Sequence, residues 1–262
     1  VGNRLDGAPT DSGTNNTMRL HLAGVARQAL SLVPAGKHGI LDIGSNDATL
    51  LLSFPDDWVR VGYDPSFPDG HGPNLTVVGL PFEARNVPTS FRPRIITSLA
   101  CFYDLDAPQE FVNDIAKVLA PDGIWINEFN YLPSMLENHA YDMIGHEHLC
   151  YYRLSDMTTL AAVAGLEVVH AETNTINGGS LRVVVKHRGS GPRDGTVDAL
   201  LHEEEASLQA IQEQVYECSR QVTRLKIDLQ MLRRRAKNVW IRGASTRGLT
   251  LLTLLNNEDL PR

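Results

Sequence analysis

Between Tyr141 and Tyr152 the sequence reads Tyr-Asp-Met-Ile-Gly-His-Glu-His-Leu-Cys-Tyr-Tyr, placing two histidines, a glutamate and three tyrosines within twelve residues. An imidazole near its ordinary pKa can take a proton at neutral pH, and a carboxylate beside it can orient the ring or handle a second proton. The pattern is not H-E-x-x-H, because Cys150 stands where the second zinc ligand would be. A His-x-His pair can hold a metal from a strand, but no third ligand is evident and no metal is expected. One isolated histidine would be read as structural. His146, Glu147 and His148 together, in a stretch that interrupts the regular elements, are read as catalytic.

A second constellation ends two apolar runs in acids. Gly39-Ile40-Leu41-Asp42-Ile43-Gly44 reads as a buried strand leading into the turn Gly44-Ser45-Asn46-Asp47, and Val59-Arg60-Val61-Gly62-Tyr63-Asp64 as a strand leading into Pro65. Small residues after a strand let the backbone approach a ligand at the C-terminal edge of a sheet. Asp42 can hold an amino group or a water beside it, and Asp64, 22 residues further on, can accept both hydroxyls of a ribose. A dinucleotide would want G-x-G-x-x-G, whereas Gly44-Ser45-Asn46-Asp47-Ala48-Thr49 keeps only the first glycine. A phosphate-free adenosyl ligand is therefore expected against Asp42, Gly44, Ser45, Asn46, Asp64 and Pro65. Phe82 and the stretch from Ala100 to Phe102 follow the third and fourth strands, where an adenine ring would be sandwiched. Phe82, Ala100 and Phe102 join the cofactor set, with ordinary core packing as the alternative.

These groups need a scaffold that gathers strand ends. Residues 1–16, rich in Gly, Asp, Thr and Asn, read as an irregular leading segment. Met18, Leu22, Val25, Ala26, Ala29 and Val33 lie at helical spacing, and Pro34-Ala35-Gly36 stops that helix. Leu75–Val78 and Arg94–Leu99 read as the third and fourth strands, Gln109–Leu119 as a helix, and Ile124–Glu128 as the fifth strand. After the interruption from Tyr131 to Leu154 comes a helix from Ser155 to Ala164, with Ser155 as its N-cap. Leu166–Ala171 and Leu181–Lys186 pair through Asn177-Gly178-Gly179, residue types that accept positive φ. The alternation predicts an α/β fold, a doubly wound parallel sheet closed by an antiparallel hairpin, over residues 17–188.

Residues 189–202 read as a linker by composition. Leu208, Ile211, Val215, Cys218, Val222, Leu225, Leu229 and Leu232 then step by three and four, the stripe of a long helix within residues 203–262. It is read as docked on its own domain, with a homodimer through residues 205–235 as the alternative. Asn238 to Gly248 looks like strand, glycine-rich turn and helix, the opening of a second Rossmann-like unit that Arg262 cuts short.

Composition narrows the function classes. The chain has 262 residues, 42% of them hydrophobic, enough for one full core. Its formal net charge is -7 and no basic run precedes Arg233, so no phosphate-tracking surface, and hence no nucleic-acid partner, is expected. The three cysteines, Cys101, Cys150 and Cys218, form no C-x-x-C pair and specify neither a zinc knuckle nor a disulfide framework. With no apolar run of membrane-spanning length and no signal-peptide pattern, the reading is cytoplasmic, without a membrane partner.

Four motifs carry a family resemblance: Leu41-Asp42-Ile43-Gly44-Ser45-Asn46-Asp47, Phe102-Tyr103-Asp104-Leu105-Asp106-Ala107-Pro108, His146-Glu147-His148-Leu149-x-Tyr151-Tyr152, and Asn177-Gly178-Gly179-Ser180. Through them the chain, from about Asn16 to Arg182, resembles the sugar C-methyltransferases that act on nucleotide-linked deoxy-4-keto sugars in antibiotic pathways. The tail from Ala206 to Asn256 looks like the start of that family's C-terminal domain. The resemblance implies a class I methyltransferase Rossmann-like fold and S-adenosyl-L-methionine as cofactor. It implies that His148 removes the proton α to a sugar ketone, with Glu147 and His146 beside it, and that the enolate carbon takes the methyl group. Tyr141, Tyr151, Asn177 and Ser180 would face the substrate. Methylation of another small molecule, at oxygen or carbon, and a non-catalytic scaffold that keeps the fold are the alternatives. Three features differ from the family: no N-terminal zinc-binding domain, Gly145 in place of a tyrosine, and Pro9-Thr10-Asp11-Ser12-Gly13 in place of an aromatic-Arg-Ser stretch. All three are expected on the substrate side.

Overall fold

Along the first strand, side chains alternate between two cores, as a period of two requires: Ile40 packs in one and Leu41 in the other, both fully buried. The structure, a computed structural model, describes residues 12–145 and 147–236. Its strands are β1 (Gly39–Ile43), β2 (Val59–Tyr63), β3 (Gly70–Gly72), β4 (Leu75–Val78), β5 (Ile95–Leu99), β6 (Ile124–Asn130), β7 (Leu166–Asn174) and β8 (Ser180–His187). Its helices are α1 (Asn16–Ser31), α2 (Pro108–Val118), α3 (Leu132–Glu137), α4 (Leu154–Val163) and α5 (Gly195–Arg235).

The strands form one sheet in the order β3-β4-β2-β1-β5-β6-β8-β7. Strands β4, β2, β1, β5 and β6 run parallel, and the pairs β3–β4, β6–β8 and β8–β7 are antiparallel. One face, bearing Ile40, Ile95, Ile124 and Ile126, packs against α1 and the short turn at Leu51–Ser53. The other, bearing Leu41, Ile96, Trp125 and Phe129, packs against α2, α4 and the first turns of α5. A fully buried large side chain stabilises by about 1.5–3 kcal/mol, so burial on both faces commits these apolar runs to central strands. Trp125 is satisfied in that core, its indole N–H donating to Ser98 Oγ at 2.8 Å.

The expected hairpin forms, with Asn177 at φ 53°, Gly178 at 81° and Gly179 at 126°. A Cβ on Gly179 would lie 2.5 Å from Ser134 Cβ, so α3 can pack here only against glycine. Three elements differ from the sequence reading. Strand β3 is a Gly-His-Gly edge too short to show alternation. The stretch from Tyr131 to Leu154, read as an interruption, contains α3. Helix α5 begins at Gly195, inside the stretch read as linker, because the Asp194 side chain accepts the Thr196 N–H at 3.0 Å and Val197 is fully buried. Along α5, Cys218 is buried while Val215 and Leu232 are half-exposed. The expected second glycine-rich unit and the leading residues 1–11 lie outside the described residues. No helix among the described residues is long and apolar enough to cross a membrane.

Ser155 is not the N-cap of α4. Arg153 holds that position, its backbone N–H bonded to the Asp156 carboxylate at 2.9 Å, and Ser155 lies inside the helix. The capping carboxylate comes instead from Glu204 on α5, buried and accepting the N–H groups of Leu154 and Ser155, the latter at 3.0 Å. Glu204 also accepts the Tyr131 hydroxyl at 2.9 Å, so one carboxylate ties both ends of the 131–154 segment to α5. Glu204→Ala leaves three donors unmatched and should lower unfolding free energy by about 3 kcal/mol, read from urea melts. Glu204→Gln, which keeps one acceptor oxygen, should lose about half as much.

Candidate active site

Strand β1 hands over to a turn that only small residues can make. Gly44 has φ 74°, and a Cβ there would lie 3.3 Å from Cys101 Cβ. Its N–H donates to the Tyr63 carbonyl at 2.8 Å, holding the turn against the end of β2. Asp64 accepts the Asn46 N–H at 2.9 Å and the Ser66 N–H at 2.8 Å, which presents its carboxylate at the same edge. Asp42 is buried and accepts the Thr97 hydroxyl at 2.7 Å. Burial pushes its carboxyl up to about 7; the Thr97 bond works against the rise and Asp64 adds to it.

The turn floors a cavity of about 490 Å³. Asp42, Gly44, Ser45, Asn46, Asp64, Pro65, Phe82 and Ala100, all expected from the sequence, line it. Phe102 does not. It is fully buried in an aromatic cluster with Phe111, Trp125, Phe129 and Tyr152, so core packing is the correct reading of that residue. The described lining carries the carboxylates of Asp42, Asp47, Asp64, Asp104 and Glu128, and no Lys or Arg. That wall fits a ligand bearing sulfonium and ammonium charges, and would repel a pyrophosphate. Ser12 also lines it, and the Ser12 and Gly13 N–H groups bond to the side chains of Asn46 and Asp47 at 3.1 and 2.8 Å. Of the stretch from Pro9 to Gly13, expected on the substrate side, the described residues Ser12 and Gly13 thus bond to the Asn46–Asp47 turn.

The histidine-bearing segment is clamped at its feet, where Leu132 N–H meets the Tyr152 carbonyl at 3.0 Å. Nearer the histidine, Leu149 and Cys150 both donate to the Tyr103 carbonyl, at 2.9 and 3.1 Å. The His148 ring rests on Tyr103, with centroids 4.3 Å apart. Its Nδ1 is 2.6 Å from the Met143 carbonyl, which only accepts, so Nδ1 carries the hydrogen and Nε2 is the basic nitrogen. Tyr103 lies under His148, and the next residue, Asp104, is in the cavity wall. Partial burial and the neighbouring Glu147 carboxylate push Asp104 up to about 7. His148 and Glu147 thus stand beside the cavity, behind the 102–104 turn, and are not part of its described lining.

Tyr151 is half-buried, in contact with the Gly145 backbone, and desolvation raises its hydroxyl. Asn177 lines the cavity. Ser180 does not, since it is buried under the hairpin with its hydroxyl on the Ile176 carbonyl at 2.9 Å. His146 and the side chain of Tyr141 lie outside the described residues.

Among the titratable side chains in the lining, His21, Asp104 and Glu128 were not singled out as site residues from the sequence. Glu128 closes an apolar strand with an acid, the signal that found Asp42 and Asp64. His21 and Gln28 break the apolar stripe of α1 on the Val25 side, a signal visible in helical spacing.

A family model described as a methyltransferase domain matches residues 18–171, and one described as a C-methyltransferase C-terminal domain matches residues 175–259. The C-methyltransferase NovU of Streptomyces niveus is 30% identical over 158 residues, covering 55% of this chain and 36% of NovU. The chain thus spans about a third of that relative. Among solved structures, a chain from the complex of the Haloferax volcanii Trm112 methyltransferase activator with a methyltransferase shares the fold. It has a TM-score of 0.51 at 16% identity, covering 67% of this chain and 94% of that one. The fold is that of class I methyltransferases, a Rossmann-like sheet closed by an antiparallel hairpin.

Native Asp42, with its carboxyl near 7, holds a proton through a pH range where the unfolded chain, at the ordinary 3.8, has lost it. Stability is therefore present at low pH and lost as pH rises from about 4 through 7. Asp42→Asn, which keeps an oxygen for Thr97, should flatten that part of the stability–pH curve measured by urea unfolding. An unchanged slope would mean that Asp42 is ionised in the native state.

Proposed function

The chain belongs to the methyltransferase-domain family, whose methyl donor is S-adenosylmethionine, and from that premise we propose that it methylates a carbon α to the ketone of a nucleotide-linked deoxysugar. The observation that carries this reading is the setting of His148. Its Nδ1 is committed to the Met143 carbonyl and its ring lies on Tyr103, one residue from the wall of the carboxylate-lined cavity. The NovU likeness and the match to a C-methyltransferase C-terminal domain support carbon as the methylated atom.

S-adenosylmethionine supplies, when bound, an electrophilic methyl group on a cationic sulfur. In this reading Asp64 would hold it at the ribose, Asp42 and the Gly44–Asn46 turn at the amino-acid end, and Phe82 with Ala100 at the adenine, all of them residues that line the cavity. In this reading His148 Nε2 takes the proton α to the ketone, and Glu147 steadies the positive ring that results. Asp104, pushed up to about 7 by burial and by the neighbouring Glu147 carboxylate, gives the cavity wall a second proton donor. Asn177 reaches the acceptor from the hairpin.

A second reading is methylation of another small molecule. It is favoured by one observation: the described lining has no Lys or Arg to meet a diphosphate.

Two measurements test these assignments. Asp64→Ala should weaken binding of S-adenosylhomocysteine, followed by calorimetry, by at least about tenfold, since two hydroxyl bonds are lost. A nucleoside-diphosphate-linked 4-keto-6-deoxyhexose, incubated with the protein in deuterium oxide, should exchange its α-hydrogen by a reaction that His148→Ala abolishes. Exchange that survives in His148→Ala removes His148 as the base, and no exchange with the unaltered protein favours the second reading.

A further inference from the structure

Helix α1 carries an imidazole into the cavity, out of a stripe otherwise made of Leu22, Val25, Ala26 and Ala29. His21 Nε2 lies 2.6 Å from Glu128 Oε1, with side-chain exposures of 12% and 5%. Glu128 ends the parallel part of β6, and its backbone carbonyl accepts the Ala100 N–H at 2.8 Å, beside the cofactor turn. Its second oxygen accepts from Asn174 Nδ2 at 3.0 Å and Arg182 Nε at 2.8 Å. Arg182 in turn meets Glu172 and Gln28. Although burial pushes Glu128 up, the His21 and Arg182 partners hold it below the ordinary carboxylate value, so it is an anion. Two residues further along the same face of β6, Asn130 is buried, with neither polar side-chain atom bonded to a described residue. Asn130 does not line the cavity.

We propose that His21, oriented by Glu128, is a second acid–base residue of the cavity, one that gives a proton to the acceptor's oxygen while His148 takes one from carbon. The inference rests on the keto-sugar reading. Glu128 only accepts, so His21 Nε2 carries a hydrogen and Nδ1 is left to meet the ligand. In the step, the α C–H bond breaks and its proton goes to His148 Nε2. The bonding pair becomes the C=C bond, the carbonyl π pair moves to oxygen, and the Nδ1 proton of cationic His21 joins that oxygen. Reversal after the His148 proton has exchanged with solvent returns a labelled ketone and a recharged His21. Glu128 is a positioning residue here, touching His21 and not the acceptor.

The experiment is the same deuterium exchange, run without a methyl donor. His21→Gln, which keeps a donor toward Glu128, should exchange about 100-fold more slowly than the unaltered protein. Its thermal midpoint and S-adenosylhomocysteine affinity should be retained. Added imidazole should restore exchange to His21→Ala. Gln28→Ala loosens the same network from the same helix without touching the cavity and should exchange at the normal rate. Exchange at the normal rate in His21→Gln, absence of imidazole rescue, or an equal loss in Gln28→Ala would each overturn the proposal and leave His21 as a brace. In all of these the unaltered protein still exchanges and the keto-sugar reading stands. If the unaltered protein does not exchange, that reading fails and this inference with it.

Discussion

A parallel sheet sends the C-terminal ends of all its strands to one edge, and in this protein that edge is where like charges are forced together. Asp42 in β1, Asp64 after β2, Asp104 after β5 and Glu128 in β6 all reach a single cavity. Three of them are held by different devices. Asp64 is held by two backbone N–H groups, Asp42 by Thr97, and Glu128 by His21, Arg182 and Asn174. Carboxylates withdrawn from water are relieved by taking up protons or by gaining a cation, and neighbouring negative charge adds to the need. Asp42 and Asp104 take the first course and sit near 7, while Glu128, paired with Arg182, takes the second. A cationic cofactor would extend the second course to the rest of the edge, which is why the wall suits a sulfonium better than a pyrophosphate.

The sequence shows the cofactor side well because its signals are local. An apolar run ending in an acid and followed by small residues names both the strand and its ligand-facing end, and eight of the nine cofactor positions line the cavity. The ninth, Phe102, shows the limit: an aromatic residue after a strand serves core and pocket equally, and only packing against Trp125 and Phe129 decides. Ser180 fails for a related reason, since its hydroxyl turns inward to Ile176. Long-range partners leave no local trace. Glu204 replaces the Ser155 cap from about fifty positions away, and His21 meets Glu128 across 107 positions. Those contacts are made by the fold, so no window of sequence contains them.

The same long-range contacts explain how a loop can hold an imidazole in a fixed geometry. Loops are the least constrained parts of a domain, and a proton-transfer group needs its geometry fixed. Here the segment from Tyr131 to Leu154 is fastened at both feet, by the Tyr131–Tyr152 bridge and by Glu204, and in the middle by the Tyr103 carbonyl. Helix α5 is therefore part of the support of the site. Its first turns bury Val197 in the core, and its Glu204 sets the frame in which His148 stands.

The two histidines are consequently fixed in different ways. His21 belongs to a lattice of charged and amide groups spread over α1, β6, β7 and β8, four elements packed together. His148 meets the Met143 carbonyl and the Tyr103 ring, within a segment tied to the sheet at its feet, at the 102–104 turn and, through Asn138 and the Gly178 carbonyl, at the hairpin. Displacing His21 requires breaking ion pairs buried together. The His21 wall is thus braced by groups from four packed elements.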